Sequence, residues 1–85
     1  MKGLFNKVKN LPTRKRYVVS TIRKGDKCFE TAVFEANWLY LPRRWSCPDL
    51  AVTTTTKDEA WEMHFRLTAR LIKEYPPRLF QEYRR

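Results

Sequence analysis

The sequence predicts an α+β domain: a small antiparallel sheet, made of a β-hairpin and a third strand, packed by one long amphipathic helix. Two observations carry this. Residues 17–23 and 28–35 are rich in β-branched and aromatic side chains on either side of Gly25-Asp26, which reads as a hairpin. Residues 56–75, TKDEAWEMHFRLTARLIKEY, place apolar residues at helical spacing behind a capping signature. A chain of 85 residues bounds the answer to one domain with a modest core.

The elements follow in chain order. In MKGLFNKVKNLP, Leu4, Phe5, Val8 and Leu11 recur at helical spacing among Lys2, Lys7 and Lys9, so a short amphipathic helix ended by Pro12 is expected. Such a helix is too short to persist alone and must dock. Residues 1–15 are read as a basic N-terminal segment, residues 16–76 as the ββ(β)α domain, and residues 77–85 as a basic C-terminal tail.

In the hairpin, a two-residue Gly25-Asp26 turn with glycine supplying positive φ pairs Ile22 with Phe29, Ser20 with Thr31 and Val18 with Val33. The opposite face then pairs Tyr17 with Phe34, Val19 with Ala32 and Thr21 with Glu30. Neither face is wholly polar, so both are expected to be partly covered. The threonine-rich run LAVTTTT suits a third strand. Thr56 and Glu59 then form a capping box, with Thr56 accepting from the Glu59 N–H and Glu59 reaching back to Thr56. Pro76-Pro77 stops the helix near Tyr75. On the wheel, Ala60, Met63, His64, Leu67 and Leu71 make one stripe, and Trp61, Phe65, Thr68, Ile72 and Tyr75 an adjoining one. That arc is wider than a small sheet requires. Leu79, Phe80 and Tyr83 of the tail offer a further apolar contact.

Charge narrows the function. The formal net charge is +9, which disfavours acidic mimicry and favours phosphate-rich partners or acidic protein surfaces. It is concentrated early: residues 1–27 carry nine Lys or Arg against Asp26 alone. Lys7, Lys9, Arg14, Lys15 and Arg16 are the candidate phosphate contacts from this region. The second candidate is NWLYLPRRWSCP, residues 37–48. Trp38, Tyr40 and Trp45 offer stacking faces, and Arg43 and Arg44 offer forked donors. The competing reading makes this stretch a lid, with Trp38, Leu39 and Leu41 covering the second face of the hairpin and only the arginines exposed.

Catalytic chemistry finds little purchase. His64 is the only histidine, and Glu30 and Thr31 can approach it from the sheet. A lone histidine on an apolar helix face nonetheless reads as a structural residue bonded to a neighbour. Glu59 and Glu62 are accounted for by the cap and the solvent face. The two glycines are isolated, so no phosphate-cradling loop is expected. Cys28 and Cys47 with one histidine make a poor metal site, and neither a metal nor a cofactor is expected. No signal peptide or membrane-spanning run is read from the chain, so reduced thiols and a cytoplasmic location are expected.

Two segments are similar to a known group. Phe29-Glu30-Thr31-Ala32-Val33-Phe34 resembles the FETMVF-type strand of small, mostly uncharacterised proteins encoded by tailed bacteriophages. Thr56-Lys57-Asp58-Glu59-Ala60, followed by His64, resembles the T-x-E-E-A-x-x-G-H helix start of the same group. Asp58 stands where the first Glu is usual, and Met63 where the residue before His is small. The resemblance implies phage origin, with the host cytoplasm as location, and carries no activity with it.

The expectation is therefore a non-enzymatic accessory protein acting by stoichiometric binding. Its partner is a host or phage nucleic-acid-processing complex, with direct contact to nucleic acid from the basic segment and the 37–48 loop. Two rivals stand beside it: an anti-CRISPR-like, protein-directed inhibitor of a host enzyme or defence system, and a minor virion component. Neither requires a membrane.

Overall fold

The computed structural model describes residues 3–84. Its order is β1 (Leu4–Lys9), β2 (Arg16–Gly25), β3 (Cys28–Ala36), β4 (Leu50–Thr54), α1 (Lys57–Lys73) and α2 (Pro76–Tyr83). The four strands form one antiparallel meander in the order β1-β2-β3-β4. Both helices pack on one face, so the architecture is α+β, with one strand and one helix more than expected.

The additional strand is the segment read as a helix. Leu4–Lys9 pairs with β2 from Leu4↔Thr21 to Lys9↔Arg16. Six residues satisfy helical and alternating spacing equally well. The open edge of β2 decides between them, because its unpaired backbone groups gain a ladder only if the segment is extended. Gly3 leads into this pairing, and a Cβ there would run into the Thr21 carbonyl oxygen. Met1 and Lys2 of the expected helix lie outside the described residues.

The hairpin register also differs from expectation. Gly25 pairs with Cys28, so the turn is Asp26-Lys27, and a register shift between Arg23 and Gly25 brings Thr21 opposite Thr31 and Val19 opposite Val33. Neither glycine takes positive φ. The shift moves every β3 side chain by one position relative to β2 and reassigns both faces. Tyr17, Val19, Thr21, Thr31 and Val33 now face the helices, while Val18, Ala32 and Phe34 face away.

The helix-side core joins Val8, Tyr17, Val19, Val33 and Leu50 to Leu67, Leu71, Leu79 and Phe80. Of the expected α1 stripe, Ala60, His64, Leu67 and Leu71 are buried, while Met63 is only half-buried against the edge of the core. Thr56 caps the helix, its Oγ1 accepting from the Glu59 N–H at 3.1 Å. Glu59 reaches back one residue further than a capping box requires, accepting from the Thr55 N–H and hydroxyl at 3.3 and 3.0 Å.

Helix α1 ends at Lys73 rather than Tyr75. Pro76 and Pro77 then open α2 instead of merely stopping α1, since proline at the first helical positions sacrifices no hydrogen bond. The expected tail is thus a core element: Phe80 meets Tyr17 edge to face at 6.0 Å. Arg70 ties the helices together, donating to Glu74 at 2.7 and 2.8 Å and to Glu82 at 2.5 and 2.9 Å. These hydrogen bonds raise the Arg70 pKa and lower those of Glu74 and Glu82.

The carbonyls at the α1 C-terminus are closed from 61 residues away. Asn10 is fully buried and donates through Nδ2 to Leu71 O at 2.6 Å and Glu74 O at 2.7 Å. Leu11 N–H donates to Ile72 O at 2.9 Å. The surplus apolar arc is covered only in part: Trp61 meets Phe29 edge to face at 6.3 Å, whereas Phe65 is 52% exposed and Ile72 and Tyr75 are also open.

Candidate nucleic-acid interface

Strand alternation builds the second face of the sheet. It projects Phe5, Lys7 and Lys9 from β1, Arg16, Val18, Ser20 and Ile22 from β2, and Glu30, Ala32, Phe34 and Ala36 from β3. Among the described residues, no helix crosses this face. Its small apolar centre, Val18, Ala32, Phe34 and Ala36, is covered at one end by the 37–48 loop.

Asn37 shapes that loop. Its Oδ1 accepts from the N–H groups of Leu39 at 2.9 Å and Leu41 at 3.1 Å, closing a tight turn. Tyr40 takes φ 62, a left-handed conformation that the turn imposes on a bulky residue. Tyr40 packs against the apolar centre, and Trp45 tilts against Phe34 at 5.3 Å while remaining 60% exposed. The lid reading, which gave the cover to Trp38, Leu39 and Leu41, therefore does not hold as made, because the turn directs those three side chains away from the sheet. Tyr40 and Trp45 cover the sheet, whereas Trp38, at 72% exposure, Leu39 and Leu41 stand out from it.

Cations gather around Tyr40. Lys7 Nζ lies 6.0 Å and Arg16 Cζ 5.6 Å from the centre of its ring. The ring's negative face favours positive charge there. Lys9 sits directly opposite Arg16 in the ladder. Among the described residues, none of these three cations is in an ion pair. Glu30, at the far end of the face, is paired with Lys24 at 3.4 Å. The result is an open face with one cationic, aromatic end.

The remaining site residues are distributed around its border. Lys15 and Arg43 both approach Glu35, at 3.8 and 3.9 Å, so one carboxylate partly offsets two cations. Arg43 and Arg44 flank a shallow groove of about 260 Å³ with Phe34, Glu35, Cys47 and Asp49. Arg14 lies exposed in the β1–β2 turn with φ 61. Thus Lys7 and Arg16 meet at Tyr40, with Lys9 opposite Arg16 and Trp45 on Phe34 of the same face; Arg43 and Arg44 line the groove beside Phe34; Arg14, Lys15 and Trp38 do not join the cluster. Phe5, half exposed on the same face, was concealed in the sequence by the helical reading of its segment. Its signal was the alternation of LFNKVK.

His64 lies on the other side of the sheet and is fully buried. Its Nε2 meets Asn6 Oδ1 at 2.6 Å and its Nδ1 meets Thr21 Oγ1 at 2.8 Å; Thr21 Oγ1 in turn meets Thr31 Oγ1 at 2.8 Å. An amide oxygen only accepts, so Nε2 carries the proton and Nδ1 accepts from the Thr21 hydroxyl. Burial lowers the His64 pKa, which favours this neutral tautomer. Both ring nitrogens are engaged in holding α1 to β1 and β2. Thr31 reaches His64 only through Thr21, and Glu30, the carboxylate considered as its partner, projects from the opposite face.

Among the described residues, no group of three or more His, Cys, Asp or Glu side chains is placed to hold a metal ion. No helix among them is long and apolar enough to cross a membrane. No protein-family model matches the chain, and no curated protein or solved structure matches it.

Proposed function

We propose that this protein is a small phage-encoded accessory factor that binds stoichiometrically to a host or phage nucleic-acid-processing complex and contacts nucleic acid with the open face of its sheet. The action is binding, not catalysis. One observation carries the reading: Lys7 and Arg16 meet at the Tyr40 ring, with Lys9 opposite Arg16, on a face that no described helix covers and without carboxylate partners among the described residues. Phosphates are the anions that such a face attracts with least loss of its own interactions.

The test is the salt dependence of binding to a duplex. Three phosphate contacts give a slope of log affinity against log salt of about −2.7. A Lys7→Ala/Lys9→Ala/Arg16→Ala variant should retain its fold and lose most of that slope. An unchanged slope would move the interface elsewhere. Trp38 supports a second reading, a protein-directed inhibitor, because an exposed tryptophan in the same loop as Arg43 and Arg44 combines the residue types that dominate protein contacts, and the exposed Leu39 and Leu41 add apolar area around it. Binding that resists salt and is lost in Trp38→Ala would favour it.

A further inference from the structure

We infer that the ligand of the open face is single-stranded rather than duplex nucleic acid, an inference that rests on the reading above. Width is the first argument. Three inter-strand spacings make a four-stranded face about 14 Å across, before the 37–48 loop is added. A major groove about 12 Å wide admits a helix or a two-stranded ribbon, not such a face. A duplex can therefore offer this surface only its outer phosphates.

The aromatic residues supply the second argument. Trp45 meets Phe34 at an interplanar angle of 57° and remains 60% exposed. An open indole adds nothing to a phosphate contact, but it is a platform for an unpaired base. Phe5 lies exposed on the same face, along the same strand as Lys7 and Lys9. Lys7 and Lys9, two residues apart on one strand, are spaced about 6.8 Å, comparable to successive phosphates of an extended single strand. Tyr40 plays a different part. Its ring lies beneath Lys7 and Arg16, so it positions cations rather than stacking on bases.

The full chain should be titrated by fluorescence anisotropy into labelled oligothymidylate, oligouridylate and a mixed-sequence duplex, each about 12 nucleotides or base pairs long. Tenfold or tighter binding of a single strand is expected, although the duplex carries more charge. Trp45→Ala should weaken single-strand binding by about fivefold or more and leave duplex binding unchanged. Phe65→Ala, on the exposed flank of α1, should change neither. Should Trp45→Ala fail to fold, Phe5→Ala carries the same expectation. The thymidylate and uridylate arms differ in the sugar and in the 5-methyl group of the base, and a preference for either single strand over the duplex supports the inference. Equal or tighter duplex binding would overturn single-strand selectivity and leave the proposed function standing. Binding to none of the three would overturn both.

Discussion

Replacing Asn10 with alanine should cost more than any surface change in this domain. The Asn10 side chain makes four hydrogen bonds: Nδ2 donates to Leu71 O and Glu74 O, and Oδ1 accepts from the Thr13 N–H at 3.0 Å and hydroxyl at 2.7 Å. Alanine leaves the Leu71 carbonyl buried and unsatisfied, a loss of about 1–3 kcal/mol. The partly buried Glu74 carbonyl and the Thr13 turn can rehydrate, and each adds on the order of 1 kcal/mol. The expected loss is on the order of 3–5 kcal/mol, a large part of the stability of a domain this size. Urea unfolding followed by circular dichroism would measure it. Asn10→Asp sharpens the test, because it retains an acceptor for Thr13 but sets a carboxylate against two carbonyls. Its folded-state pKa should be raised, so its deficit relative to wild type should shrink as pH falls and grow as pH rises. A loss below about 1 kcal/mol in Asn10→Ala would refute the claim that this side chain closes the end of α1.

Other perturbations have defined outcomes. Thr56→Ala should lower stability by about 1 kcal/mol, measured in the same unfolding assay, and an unchanged midpoint would contradict the cap. His64, with its folded pKa lowered from 6.5, contributes stability that is fully present above that pH and lost as pH falls below it. The lowered carboxylates Glu59, Glu74 and Glu82 follow only below 4.5, so unfolding measured between these two pH values isolates the histidine. A His64→Asn variant, less stable throughout, should be flat across that window. Cys28 and Cys47 are both free, with Cys47 exposed and Cys28 half-buried, so alkylation read by mass spectrometry should label Cys47 first.

What could be read from the sequence was local. FETAVF shows its strand character directly, and Thr56 with Glu59 marks the start of α1 to the residue. Four side chains of its inner stripe are buried as the wheel requires. What could not be read depends on contacts made across the chain. LFNKVK fits two periods, and only the free edge of β2 chooses between them. Gly25 invited the turn one residue too early, because the compensating shift near Lys24 has no signature of its own. Pro76-Pro77 terminates one helix and begins another with the same restriction on φ, and sequence showed only the first half. Asn10 closes a helix whose last carbonyls lie 61 and 64 residues away, a pairing no local pattern encodes. The site was legible as a list of cations and rings. Which of them meet depended on strand alternation in a segment read as helical.

The most direct test of the central claim is a map of amide chemical-shift changes on adding an unlabelled single-stranded oligonucleotide to isotope-labelled protein. Binding on the open face should perturb Phe5, Lys7, Lys9, Arg16 and Tyr40 and the Trp45 indole N–H, and leave Phe65 and Ile72 unmoved. Perturbations confined to Phe65, Ile72 and Tyr75 would contradict it and place the functional surface on the exposed flank of α1.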